Sequence, residues 1–569
     1  MKAKKEIKDY KDLREMINSV TKEYPDNVAF KIKHKVGKEV SYQEIKYSEF
    51  HNELNYLGAA LIDLGFLGKR IAIIGKNSYE WGLTYISVLN GVGITVPLDK
   101  GLPTEEIESL LRRSRSNAVV FDSSYKEIME KISKDPSNKI AEFICMDNEK
   151  ESEFKTLRDL IEKGKKLIEE DKDTRYADSV IEPEKMASIL FTSGTTDISK
   201  AVMLSHKNFV ANINDVNNLY SFCSTDVNIA FLPFHHTFGS TGLLVMLSTG
   251  MMNVFCDGLK YIQQNLNEYK VSVFICVPLL LESIYKKIML EIEKQGKTKM
   301  ISIARKVSGI LLKLGIDIRR KVFKQIIDKL GGELRLVISG AAAIDKNVAK
   351  GFYDFGILTL QGYGLTETSP IVSGEREKGI KFGSCGLPFT SIVVKIDSPN
   401  EEGVGEIAVK GANVMLGYYE NQKATDEVLK DGWFYTGDLG YIDKDGYIFI
   451  TGRKKNVIVL KNGKNIYPEE IELLINNLGY VAESMVYGKE KDDDLLLSVK
   501  IVYNEEYVAE KYPEISEEEL KEIIWKDIKE INTHLSTYKH MKNLVITSEP
   551  MIKTTTAKIK RFEELKKEE

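Results

Sequence analysis

Three runs of this chain set hydroxyls, glycines and single charges at spacings that suit nucleotide chemistry. The first, Thr192-Ser-Gly-Thr-Thr-Asp-Ile-Ser-Lys200, follows the apolar Ala187-Ser-Ile-Leu-Phe191. A strand feeding a hydroxyl-rich loop can hold the oxygens of a triphosphate with backbone amides, several hydroxyls and one lysine. It is not a Walker A loop, because no Gly-Lys pair follows the first glycine at the required distance. Taken alone, such a run is an ordinary Ser/Thr turn. The second, Gln361-Gly-Tyr-Gly-Leu-Thr-Glu-Thr368, places the Glu367 carboxylate among glycines and hydroxyls. That carboxylate is a hard oxygen ligand suited to Mg²⁺ on a nucleotide; the structural alternative is a helix start capped by Thr366. The third, Tyr435-Thr-Gly-Asp-Leu-Gly440, puts Asp438 beside a glycine turn, where it could accept both hydroxyls of a ribose.

These residues need a scaffold, and the apolar periodicity supplies one. A spacing near 3.6 predicts helices over Phe50 to Leu64, Tyr79 to Val92 and Glu105 to Arg113. Short apolar runs predict strands at Arg70 to Gly75, Gly93 to Leu98, Ala118 to Phe121, Ser272 to Pro278 and Leu334 to Gly340. Helix and strand in alternation imply a parallel sheet with helices on its faces. Leu279 to Leu330 reads as a lysine-rich helical elaboration, either a solvated face or a surface for lipid or a partner. From Ile392 the texture changes to short strands and tight turns such as Asp431-Gly432 and Asp443-Lys-Asp-Gly446, which predict hairpins. Beyond Gly452 a shorter α+β segment follows, with a helix around Glu517 to Glu530.

Composition narrows the class. With 569 residues, 43% hydrophobic and 29% charged, the chain can bury a sizeable core and is neither a disordered tail nor a small disulfide scaffold. A net charge of −4 supplies no field for a nucleic-acid backbone. The five cysteines, Cys145, Cys223, Cys256, Cys276 and Cys385, are odd in number and widely spaced, and are expected to be buried structural thiols. No secretory signal is read at the start, so the expected location is cytoplasmic, with peripheral contact at the inner face of the membrane as an option. Nothing from Val227 through Cys256 is charged, but Pro233, His235, His236 and Gly239 interrupt that stretch. A buried strand, loop and helix is expected there rather than a transmembrane segment.

The three runs, in this order, resemble the adenylate-forming superfamily of acyl-CoA synthetases, peptide-synthetase adenylation domains and firefly luciferase. Phe234-His-His-Thr-Phe-Gly239, Ser339-Gly-Ala-Ala-Ala343, Gly452-Arg-Lys-Lys455 and Lys553-Thr-Thr-Thr-Ala-Lys558-Ile-Lys-Arg561 extend the resemblance over nearly the whole chain. It implies an α/β fold: a large N-terminal domain of parallel sheets with a small β-barrel-like subdomain (residues 1–454), then a small mobile α+β domain (455–569). It also implies a two-step reaction, in which a carboxylate attacks the α-phosphate of ATP and a thiol then takes the acyl group from the adenylate. The protein's task would be to stabilise phosphate charge and keep water from the intermediate.

The resemblance further assigns Thr192, Ser193, Gly194, Thr195, Thr196 and Lys200 to the β- and γ-phosphates, Glu367 to Mg²⁺ and Thr366 to the α-phosphate. Gly340, Ala341, Ala342, Gln361, Gly362 and Tyr363 would line the adenine pocket, and Asp438 and Arg453 would bind the ribose. Lys558 would bridge the substrate carboxylate and the α-phosphate, adding positive charge where negative charge gathers. Lys455 matches a hinge, Gly463 a loop near the pantetheine arm, and His236, Phe238 and Gly239 the border of the acyl pocket.

Departures from the family pattern are Asp197, Ser199 and Ala201 in the phosphate loop and Ala557 before the lysine. Asp197 brings negative charge toward polyphosphate, but Lys200, Glu367, Asp438, Arg453 and Lys558 are all retained. Amino-acid-activating relatives carry an Asp in the region of Phe231 to Gly239; here it is uncharged, which favours an apolar acid. The expected activity is therefore ligation of a medium- or long-chain fatty acid to CoA. The alternatives are an aryl-CoA ligase, a ligase that uses an acyl carrier protein, and a non-catalytic nucleotide- or acyl-binding sensor.

Overall fold

The computed structural model describes residues 8–147, 153–192, 199–460, 464–491, 494–553 and 558–567. It divides into two compact units. One comprises the chain up to Thr192 together with Ser199–Val393 and Val409–Phe434; the other contains Val394–Ala408 and the chain from Tyr435 onward.

The first unit is built on two large sheets. An eight-stranded sheet centres on the parallel strands Met186–Thr192, Gly93–Leu98, Lys69–Ile74, Ala118–Phe121 and Glu142–Cys145. A nine-stranded sheet carries Met252–Phe255, Val227–Ala230, Val273–Cys276, Leu336–Ser339 and Leu358–Gly364 in parallel. The central strands read as continuous apolar runs because helices cover both faces. Ile71, Ala72, Ile73 and Ile74 are fully buried, as are Val119, Val120 and Phe121. The helices at Tyr47–Asp63 and Thr104–Arg113 match the periodicity.

The helix expected over Tyr79 to Val92 ends early. Regular helix covers Tyr79–Ser87, and Gly91 turns to φ +129. Arg14 accounts for the break, since its guanidinium donates to the Asn90 carbonyl and Gly91 leaves room for it. The uncharged stretch forms the expected strand Val227–Ala230, loop and helix Thr237–Leu247, followed by the strand Met252–Phe255. No helix among the described residues is long and apolar enough to cross a membrane. The cysteine expectation needs correction: Cys145, Cys276 and Cys385 are buried, but Cys223 is exposed and Cys256 half-buried. Cys223 falls in the turn between helix His206–Leu219 and strand Val227–Ala230, outside either packed face.

In the second unit the strands Val481–Lys491, Asp494–Tyr503 and Asn543–Thr547 form a three-stranded sheet. Ile471, Ile475, Val499, Ile501, Ile524 and Ile528 form part of its separate core. The expected acidic helix is Glu517–Thr533, whose apolar residues at 520, 524 and 528 recur every four positions to bury one stripe. Ser516 begins it with a capping box to Glu519. The barrel-like subdomain expected from Ile392 onward is a five-stranded sheet that includes Trp433–Ile442 and Ile448–Arg453.

Candidate functional site

In the first unit, the two strands that flank the phosphate-loop motif pair antiparallel, with Thr192 directly across from Lys200. Ser193, Gly194, Thr195, Thr196 and Asp197 lie outside the described residues. Lys200 is well placed: its ammonium sits 4.7 Å from the centre of the Tyr418 ring, within cation–π range. The Tyr418 hydroxyl donates to Glu367 Oε1 at 2.9 Å. Tyr418 therefore joins the lysine of the first motif to the carboxylate of the second. It reaches that place because Gly417–Tyr418 adds a short strand to the edge of Lys200–Ser205, pairing Tyr418 with Val202. Thr366 stands beside Glu367, and the Thr237 hydroxyl donates to it at 3.4 Å. Residues 366–368 form one 3-10 turn, and Thr368, not Thr366, supplies the local cap by accepting from the Leu365 N–H. The Glu367 carbonyl accepts from the Met415 N–H, which fixes the turn from a second side.

The expected adenine-binding residues come together at the carboxyl ends of two parallel strands, in register through Ser339 opposite Gln361. Such an end is where open α/β sheets bind ligands. Gly340 admits the Phe238 ring, since a Cβ there would lie 3.0 Å from it. Ala341 holds φ +70, a left-handed conformation unfavourable for alanine, so the loop shape is imposed by its surroundings. Ala341 and Ala342 are exposed. Gln361 has a different local task from direct contact: its side chain accepts from the Ile344 N–H at 2.9 Å and donates to the Ser384 carbonyl at 3.1 Å. It braces the loop that presents Gly340, Ala341 and Ala342. Gly362 and buried Tyr363 follow on the same strand, opposite Gly374 and Ser373.

Glu375, which no motif marks, holds this strand from behind by accepting from the Gln361 N–H at 2.9 Å. Burial pushes its carboxyl up to about 7, against the opposing pull of the Gln361 and Lys381 N–H groups.

At the expected acyl border, Gly239 is sterically required, because a Cβ would fall 2.1 Å from the Pro233 carbonyl oxygen. Gly239, Phe238, Phe231 and Ile275 border a small apolar pocket. His236 Nε2 lies 3.1 Å from His235 Nε2, which is 3.3 Å from Asp99 Oδ1. Asp99 was not anticipated, because it lies on a loop far away in sequence. These three donors converge closely enough to hold a cation, the one such group among the described residues.

In the second unit, the register of Trp433–Ile442 against Ile448–Arg453 sets Asp438 opposite Arg453. Arg453 Nε and Asp438 Oδ1 are 2.7 Å apart, and Asp438 is buried. The glycine turn expected there is instead a left-handed residue within the strand: Gly437, at φ +71, donates its N–H to Glu406 at 3.0 Å. Lys455 is exposed as a residue, yet its ammonium is lowered to about 8, first by partial desolvation and then by repulsion from Arg453 and Lys558.

Lys558 is exposed, and its neighbour Ile559 bridges to Lys553. The described residues on either side are tied down: Lys553 pairs with Glu483 at 2.6 Å, Arg561 pairs with Glu472, and Lys500 pairs with buried Glu564 at 2.8 Å. Burial raises the Glu564 carboxyl, but the Ile552 N–H and Lys500 outweigh it and lower it overall. Gly463 and Ala557 lie outside the described residues.

Known proteins resemble this chain over most of its length. The profile described as AMP-binding enzyme matches residues 18–419, and the AMP-binding enzyme C-terminal domain matches residues 455–567. The chain is 30% identical to long-chain-fatty-acid–CoA ligase 5 of Mus musculus, covering 92% of this chain and 82% of that one. It is 26% identical to a chloroplastic long-chain-fatty-acid–[acyl-carrier-protein] ligase of Arabidopsis thaliana, covering 91% and 81%. Among solved structures, an anthranilate CoA ligase with anthranoyl-AMP superposes with a TM-score of 0.77 at 19% identity, covering 100% and 99%. ATP-bound MatB of Rhodopseudomonas palustris gives 0.72 at 22%, covering 97% and 98%. These structures share the fold, a large domain of parallel sheets followed by a smaller C-terminal domain. The chain belongs to the AMP-binding enzyme family of adenylate-forming acid–CoA ligases.

Proposed function

We propose that this enzyme activates a medium- or long-chain fatty acid with ATP and transfers the acyl group to CoA. One observation carries the nucleotide half of this reading: Lys200 and Glu367, from motifs far apart in sequence, both contact Tyr418, one at its ring and one at its hydroxyl. A cation and a carboxylate held together in this way suit a polyphosphate and its counter-ion.

In the first step, a carboxylate oxygen of the acid bonds to the α-phosphorus as the bond to pyrophosphate breaks. Lys200 and the Thr192 hydroxyl hold the departing phosphates, Thr366 orients the α-phosphate, and Gly340, Ala342 and the Gly362–Tyr363 backbone hold the base. Asp438 accepts from the ribose hydroxyls while Arg453 fixes its orientation. Glu367, with one oxygen already oriented by Tyr418, fits Mg²⁺, a hard cation that would neutralise phosphate charge when bound. Lys558 adds charge at the reacting phosphate. In the second step the CoA sulfur attacks the acyl carbon and AMP departs, with Lys455 as the proposed hinge of the C-terminal domain that begins there.

An apolar acid is supported by the uncharged strand, loop and helix from Val227 to Cys256, by Phe238 and Gly239 bordering an apolar pocket, and by the similarity to long-chain-fatty-acid ligases. A carrier-bound pantetheine is a second reading of the acceptor, favoured by the similarity to the Arabidopsis ligase. Pyrophosphate release measured over alkyl and aryl carboxylic acids, with and without Mg²⁺, tests the first step. Adding either CoA or acyl carrier protein then separates the acceptors. Release that peaks with alkyl acids and a thioester formed on free CoA are expected; no acid-dependent release would overturn the proposal.

A further inference from the structure

The helical elaboration before Leu334 contains a helix, Thr298–Lys313, that packs by one face and leaves another open. Ile301 and Ala304 rest against the cluster of Ile292, Phe323, Ile326 and Phe355. Arg305 locks the same side to Asp354 at 2.7 Å. The opposite side presents Met300, Ile303, Val307, Ile310 and, just past the end, Leu314, each between 49% and 71% exposed. At 100° per residue these five positions fall within about 80° of arc, so they form one stripe. Beside the stripe runs a row of exposed lysines at seven-residue spacing, Lys299, Lys306 and Lys313. The helix itself carries no carboxylate, and from Lys294 to Lys324 there are ten Lys or Arg residues against one Asp.

We propose that this face docks the protein onto an anionic lipid surface, with the helix lying in the interface plane, the apolar stripe among the acyl chains and the lysine row among the headgroups. Charge selects this occupant. A second copy placed face to face would bring two lysine rows together, whereas anionic headgroups neutralise them. An amphipathic helix with a cationic border is the form that binds such interfaces. The docking rests on geometry and charge alone and does not depend on the fatty-acid reading.

Sedimentation of the full chain with vesicles of phosphatidylcholine, alone or mixed with phosphatidylglycerol, tests it. Binding is expected only with phosphatidylglycerol and should weaken as salt is raised. Lys299→Ala, Lys306→Ala and Lys313→Ala together should lower the partition coefficient by roughly a hundredfold. Ile303→Ser, Val307→Ser and Ile310→Ser together should lower it by at least about tenfold. Both variants should retain the wild-type thermal transition and pyrophosphate release with a short, water-soluble acid. Absence of phosphatidylglycerol-dependent binding, or binding unchanged in both variants, overturns the docking. So does a concentration-dependent dimer that the serine variant dissolves while vesicles are ignored. If vesicles bind as expected but no acid triggers pyrophosphate release, the enzymatic reading fails and the docking stands.

Discussion

Lys558 is the residue on which the proposed chemistry turns. The described residues on either side of it are held by the Lys553–Glu483, Arg561–Glu472 and Lys500–Glu564 pairs. Lys558→Ala should slow acid-dependent pyrophosphate release by about 10²- to 10³-fold, the scale of losing one charge-stabilising donor at a transition state. Thioester formation from a supplied acyl-adenylate should fall far less. The two rates measured side by side check the role, and an equal loss in both would argue against it. Glu367, Asp438 and Lys200 were legible in the chain because each sits in a run of glycines and hydroxyls, whereas Lys558, behind three threonines and an alanine, stood out only through the family resemblance. Tyr418, Glu375 and Asp99 were not. Each acts through a contact made by the fold, and a lone Tyr or acid in an unremarkable run has no local signature.

At the level of elements, the turn that carries Thr366 and Glu367 depends on how closely two antiparallel strands approach. A Cβ on Gly364 would stand 1.7 Å from the Pro370 carbonyl oxygen, so no side chain fits between Leu358–Gly364 and Ile371–Gly374 without moving backbone. Gly364→Ala should destabilise the first unit by about 1–3 kcal/mol, the usual range for overpacking. It should also raise the KM for ATP through displacement of Glu367. Thermal unfolding and ATP titration in the pyrophosphate assay would check this, and a neutral effect on both would show that the strands can part freely. The need for Gly364 lies in its distance to Pro370, which periodicity does not report. Strand and helix types were readable because buried parallel strands and amphipathic helices leave distinct repeats. The break at Gly91 was hidden because Arg14, which occupies the space beside it, comes from a distant helix.

The molecule as a whole has two units with separate cores, and each offers its own probe. In the first unit Glu375 titrates near 7 when folded, against about 4.3 when unfolded. The folded state therefore binds more protons between those values, and stability from this group falls as pH rises from about 4.3 to 7, with the full penalty present above 7. Glu375 is 2% exposed, so the penalty at pH 8 is on the order of 3 kcal/mol. Glu375→Gln, which keeps an oxygen for the Gln361 N–H, should remove that part of the pH dependence. In the second unit Ile524 is fully buried, and Ile524→Ala should cost about 2–5 kcal/mol. Trp525 packs against that same core, while Trp81 is buried in the first unit. Calorimetry at pH 5.5 and pH 8, read together with the fluorescence of Trp525 after Trp81→Phe and Trp433→Phe, would assign the transitions. The Glu375 variant should move only the transition that Trp525 does not follow, and Ile524→Ala only the one it does. A single transition shifted by both variants would mean that the two cores, though separate in packing, unfold as one cooperative body.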